Sequence, residues 1–144
     1  MRNVCIGDSM RRIFEHLGYP VSTCNYGDDS GVNVGYNMVG HLHYNIPLET
    51  EKKFDHYCGE IYEKMRKLDE DPAFKQKLSE VLLAIEEGKD EKIMQLHETY
   101  TKACAKEQLK SCWRIGAYFD FVARETDVLH MKFFAYALEL LKEK

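Results

Sequence analysis

No stretch of this sequence approaches the ~20 consecutive apolar residues that cross a bilayer as a helix, so no transmembrane span is expected. The first residues, Met1 to Asp8, lack the sustained apolar segment of a secretory signal, which points to a cytoplasmic chain without a membrane partner. An excess of positive charge is also missing. Twenty Lys and Arg against twenty-four Asp and Glu leave a net charge of −4, which argues against a nonspecific nucleic-acid binder but allows a local basic patch. Paired cysteine spacing is absent. Cys5, Cys24, Cys58, Cys104 and Cys112 are odd in number, contain no C-x-x-C, and read as reduced, mostly buried thiols. The phosphate-cradling G-x-x-x-x-G-K-[ST], the G-x-S-x-G elbow and the H-E-x-x-H zinc helix do not occur either.

What remains is a chain of 144 residues, 44% hydrophobic and 31% charged, of a size for one globular domain whose core needs no disulfide or metal. Ile6, Met10, Ile13, Phe14 and Leu17 recur at helical spacing and Gly18 stops that helix. Residues 21–26 read as a strand and 27–31 as a Gly/Asp loop, followed by a short helix carrying Val34, Met38, Val39 and Leu42. From Pro47 the pattern becomes long amphipathic helices. Their stripes are Phe54, Cys58, Ile61, Met65 and Leu68, then Phe74, Leu78, Val81, Leu82 and Ile85 behind Asp71-Pro72, then Ile93, Leu96, Tyr100, Ala103 and Cys104 behind Asp90. Residues 118–123 read as a second strand, and Thr126 as the cap of one last helix through Val128, Phe134, Leu138 and Leu141.

Two strands so far apart in sequence, each followed by a helix, predict a mostly helical α/β fold with a parallel pair and a helical insertion in the crossover. The expected parts are 1–45 (helix, strand, loop, helix), 46–116 (helical insertion) and 117–144 (return strand and helix). Three amphipathic helices that can bury their stripes on one another make 47–116 the part expected to fold most independently. A sheet of two strands is a weak domain by itself, which suggests a piece of something larger.

Asp28 and Asp29 follow the carboxyl end of a strand, where open α/β sheets bind ligands, and they are equally plain turn chemistry. His41-x-His43 and His56-x-Cys58 have zinc-ligand types, but helical period points His56 and Cys58 apart. Cys5 and His16 lie eleven positions apart on one helix, about 16 Å at ~1.5 Å per residue, too far for a nucleophile and its base.

The order of several short motifs resembles that of class I arginyl-tRNA synthetases. Arg2-Asn3-Val4-Cys5-Ile6-Gly7-Asp8-Ser9, Phe14-Glu15-His16-Leu17-Gly18-Tyr19 and Asn25-Tyr26-Gly27-Asp28-Asp29-Ser30-Gly31 carry the likeness. Phe54-Asp55-His56, Glu86-Glu87-Gly88, Tyr118-Phe119-Asp120, Glu125-Thr126-Asp127 and Leu138-Glu139-Leu140-Leu141 continue it along essentially the whole chain. The resemblance implies a partial Rossmann-like, HUP-type nucleotide-binding fold with two parallel strands and a helical insertion. It implies ATP, Mg²⁺, arginine and arginine-specific tRNA as the ligands of a full-length enzyme that charges the tRNA 2′-hydroxyl. Arg2, Asn3, Asp8, Asp28 and Asp29 would form part of the active-site rim. The family's HIGH signature would lie immediately before Arg2 and its KMSKS-type loop after Lys144, so the expectation is an internal fragment, inactive alone and without tight cofactor binding. Two alternatives stand beside it: a stand-alone module that binds a partner or an RNA acceptor stem, and a different class I synthetase. The missing neighbour of the strand at 21–26 predicts an open edge and a homodimer through it.

Overall fold

The computed structural model describes residues 1–49 and 51–143, without the Phe134 side chain, so the expected place of Phe134 in the last helical stripe lies outside the described residues. The described elements run α1 (Arg2–His16), β1 (Cys24–Gly27), α2 (Val32–His43), α3 (Phe54–Arg66), α4 (Pro72–Glu87), α5 (Glu91–Arg114), β2 (Phe121–Arg124), α6 (Glu125–His130) and α7 (Phe133–Lys142). Local chemistry sets most of these ends. Gly18 at φ +84° follows the last turn of α1. The Asp71 carboxylate accepts from the Ala73 N–H with Pro72 at the first helical position, and Asp90 accepts from the N–H groups of Lys92 and Ile93. Gly88 closes α4 at φ +65°, a left-handed position that a side chain resists.

The core lies among α2, α3, α4 and α5. Phe54, Ile61, Phe74, Val81 and Ile85 are buried there as their spacing predicts, and Leu68, Leu78, Ile93 and Leu96 pack around them. Met38, Val39 and Tyr36 of α2 belong to the same cluster, and the Tyr36 ring stacks on Phe74 with centroids 5.6 Å apart. The helical unit therefore includes α2, which the sequence had grouped with residues 1–45. Burying each such large side chain contributes roughly 1.5–3 kcal/mol, so α2 is bound to the insertion by more than its own propensity.

β1 and β2 pair in parallel, with Cys24 opposite Phe121 and Gly27 opposite Arg124. Both strands begin three residues later than their sequence signals. Thr23 and Asp120 account for the delay: the Asp120 carboxylate accepts from the Thr23 N–H at 2.7 Å and from its hydroxyl at 2.9 Å, while the Asp120 N–H donates to the Thr23 carbonyl at 3.0 Å. This clasp uses the backbone groups that would have extended the ladder.

Three further expectations are corrected, and α1 stands apart from the other helices. No residue of α1 is buried, and its stripe faces outward with Ile6 58% and Leu17 64% exposed. The final helix is two helices, α6 and α7, broken at Lys132, whose φ of +57° no continuous helix allows. Thr126 sits inside α6 instead of capping it, because Arg124 occupies the cap position. Finally, all five cysteines are free thiols as read, but only Cys58 and Cys112 are buried, since Cys5 and Cys24 lie on the exposed α1 and β1. Among the described residues no helix is long and apolar enough to cross a membrane.

Candidate active-site rim

Parallel pairing brings the carboxyl ends of both strands to one side, which is where an open α/β sheet can receive a ligand. β1 runs into Asp28, Asp29 and Ser30, and β2 runs directly into Glu125. These segments meet. The Ser30 hydroxyl donates to Glu125 Oε2 at 2.5 Å and the Tyr26 hydroxyl donates to Oε1 at 3.3 Å. Asp28 lies against the same Glu125 carboxylate, and its own Oδ1 accepts the Gly31 N–H at 3.0 Å. That turn is tight enough that a Cβ on Gly31 would approach Asp28 Oδ1 to 2.7 Å.

The charge of this cluster is visible in its neighbours. The Ser30 hydroxyl first, then hydrogen bonding with the Asp28 carboxyl and the Tyr26 hydroxyl, hold the Glu125 carboxyl below the usual carboxylate range, against the effect of burial. Loss of solvent, followed by the negative charge of Glu125, Asp28 and Asp29, pushes the Tyr26 hydroxyl up. Adjoining carboxyl groups with hydroxyls on their flanks can accept several hydrogen bonds from one cation, a pattern that a planar guanidinium satisfies.

Asp29 faces the other way. It is buried, its Oδ1 accepts the Thr126 N–H at 2.9 Å, and its Oδ2 accepts the Thr126 hydroxyl at 2.7 Å. The capping of α6 is thus supplied by a carboxylate from the β1–α2 loop, placed where the helix dipole favours negative charge. The Asp29 carbonyl accepts the Nε2–H of His97, a residue of α5 that is 1% exposed. All three bonds of Asp29 run inward, to α5 and α6.

The α1 residues are set apart. Asp8 accepts from Arg12 Nε at 2.6 Å and from Arg11 at 2.9 Å, and these guanidinium groups, Arg12 first, hold its carboxyl below the usual range. Arg12 also donates to the Gly116 carbonyl at 3.0 Å, so the Asp8–Arg12 pair closes α1 over the end of α5. Arg2 and Asn3 are exposed on the first turn of α1, near a cleft of about 690 Å³ shared by Met1, Val4, Asn25 and Arg114. Among the described residues no hydrogen bond joins Arg2, Asn3 or Asp8 to Asp28 or Asp29. Nor do the histidines gather with cysteine: His41 Nδ1 bonds the Ile46 carbonyl at 2.7 Å, His43 and His56 are exposed, and no group of three or more His, Cys, Asp or Glu could hold a metal among the described residues.

A family model described as "tRNA synthetases class I (R), catalytic domain" matches residues 1–134. The chain belongs to this family. It is 32% identical over 142 residues to the arginine–tRNA ligase of Deinococcus radiodurans, covering 99% of this chain and 22% of that protein. It is 30% identical over 154 residues to the arginine–tRNA ligase of Thermococcus kodakarensis (99% and 24%), and 27% identical over 143 residues to that of Thermus thermophilus (99% and 23%). The chain therefore spans less than a quarter of the length of these curated relatives. The arginine family takes precedence over the other class I synthetases that the motifs had left open. The family uses ATP, and Mg²⁺ is typical of it. No step is assigned to either.

Of the rim residues named from sequence, Asp28 alone stands in the acid cluster. Glu125 was part of one motif, Glu125-Thr126-Asp127, and Tyr26 and Ser30 of another, Asn25-Tyr26-Gly27-Asp28-Asp29-Ser30-Gly31, without roles; His97 carried no signal of its own.

Proposed function

We propose that the chain forms one wall of the arginine-activating site of an arginyl-tRNA synthetase, with arginine, ATP, Mg²⁺ and arginine-specific tRNA as ligands of the full-length enzyme. Glu125 and Asp28 receive the guanidinium of the substrate, and Ser30 and Tyr26 orient Glu125. Asp29 and Asp8 serve as framework behind that wall, and Arg2 and Asn3 border its α1 side. The single observation that carries the reading is the meeting of Glu125, Asp28, Ser30 and Tyr26 at the shared carboxyl ends of β1 and β2. Family membership names the cation that fits them.

Titration of the ¹⁵N-labelled chain with L-arginine tests it. Arginine is expected to shift the amide signals of Tyr26, Ser30 and Glu125, whereas L-citrulline, the uncharged analogue, leaves them in place. E125Q removes a charge-assisted pair of about 1.5–3 kcal/mol, hence roughly tenfold or more in affinity. Equal shifts with citrulline, or none with arginine, would overturn the reading. The chain alone is expected to give no arginine-dependent exchange of pyrophosphate into ATP, because the wall holds the substrate side chain and has no group placed on the reacting phosphate. Exchange above a buffer control contradicts that.

A further inference from the structure

Among the described residues, His97 is the buried histidine whose ring reaches out of the helical insertion into the rim. It is 1% exposed, on α5, and its Nε2 lies 2.6 Å from the Asp29 carbonyl, 68 positions away in sequence. A carbonyl only accepts, so the ring carries its proton on Nε2. The Asp29 residue it holds makes three buried bonds at once: its carbonyl to His97, and its two carboxylate oxygens to the Thr126 N–H and hydroxyl. Thr126 adjoins Glu125, and Asp29 adjoins both Asp28 and Ser30, so every member of the acid cluster except Tyr26 is one residue from this junction. A short chain of bonds thus runs from the inserted helix to the carboxylate pair.

We infer that His97 is the positioning residue of the acid cluster: its donated bond fixes the β1–α2 loop, and through Asp29 it sets where Glu125 stands relative to Asp28. His97 does not touch the ligand; it makes the geometry of the rim depend on the seating of α5. The inference deepens the reading of the rim as an arginine site.

Two variants separate placement from folding. H97F keeps a ring in the same cavity and loses the donor, leaving the Asp29 carbonyl buried and unpaired. H97Q returns an amide donor near the place of Nε2. In the full chain, hydrogen exchange of the Thr126 amide is expected to quicken about tenfold in H97F, while the Ile61 and Val81 amides, which report opening of the core, keep their rates. Arginine affinity should fall several-fold in H97F, and H97Q should restore both quantities to within about twofold of the parent. Equal acceleration of Thr126, Ile61 and Val81 in H97F would assign His97 to general stability and overturn the inference. So would unchanged Thr126 exchange. If the parent chain binds no arginine, the arginine-site reading fails, and Thr126 exchange with its H97Q rescue still decides the placement by itself.

Discussion

The carboxylate of Asp29 caps α6 by accepting both the backbone N–H and the hydroxyl of Thr126, 97 residues later, in a buried setting. This pair ties the first strand's loop to the second strand's helix, so the two halves of the rim are bonded to each other.

D29A is expected to lower unfolding free energy by about 2–4 kcal/mol, combining a lost helix cap of ~1 kcal/mol with an unsatisfied buried hydroxyl of ~1–3 kcal/mol. Urea unfolding measures it. In the T126V background the same substitution should cost clearly less, because the two residues share the bonds removed. Full additivity would show that the two act separately.

Gly88 ends α4 at φ +65°, and a Cβ there would sit 2.8 Å from Nε2 of His130, which itself bonds the Ile85 carbonyl at 3.0 Å. G88A therefore combines about 1–2 kcal/mol of left-handed strain with displacement of His130 from its acceptor, ~1 kcal/mol. In the H130A background only the strain remains. A thermal melt in which G88A costs the same in both backgrounds would separate Gly88 from the docking of α6.

Asp8, Asp120 and Asp127 have carboxyls held below the usual range, by Arg12, by the Thr23 N–H and by Arg124 respectively. Since these groups bind protons less readily folded than unfolded, their stabilisation is present above the ordinary range of about 4 and is lost as pH falls through it toward the folded values. Thermal midpoints should be nearly flat from neutral pH to about 5 and should drop below about 4.5. D120N should make that drop shallower. A midpoint that rises on acidification would contradict the assignment.

β1 has β2 as its single neighbour among the described residues, and Tyr26, Phe121 and Val122 on the pair are exposed. A second copy of the chain is expected to pair along the open edge of 24–27, giving a homodimer whose fraction rises with concentration. Light scattering over about a hundredfold range of concentration measures this. C24K, which sets a charge on the edge, should shift the equilibrium to monomer. A parent chain that stays monomeric throughout would exclude the edge pairing.

The helices were legible because their causes are local. Asp71-Pro72, Asp90, Gly18 and Gly88 set ends within a turn of themselves, and the stripes of α3, α4 and α5 repeat at the period of the helix that buries them. Periodicity alone could not say which stripes would be covered, so α1 carries the same pattern as α3 and lies exposed. The motif order along the chain was enough to point to the arginine synthetase family, and the family match over 1–134 agrees with it.

Sequence by itself determined the helical segments apart from the break between α6 and α7, the two strand positions to within three residues, and the acidity of the loop after β1. Tertiary structure decided which acid does what. Asp28 and Asp29 are chemically identical neighbours, and only the approach of α6 and α5 makes one a buried cap and leaves the other beside Glu125. Ser30 meets Glu125 across 95 residues and His97 meets Asp29 across 68. The physical reason is that a hydrogen bond is short-ranged and directional: its partner is chosen by where packing brings two distant segments, and no local spacing encodes that distance.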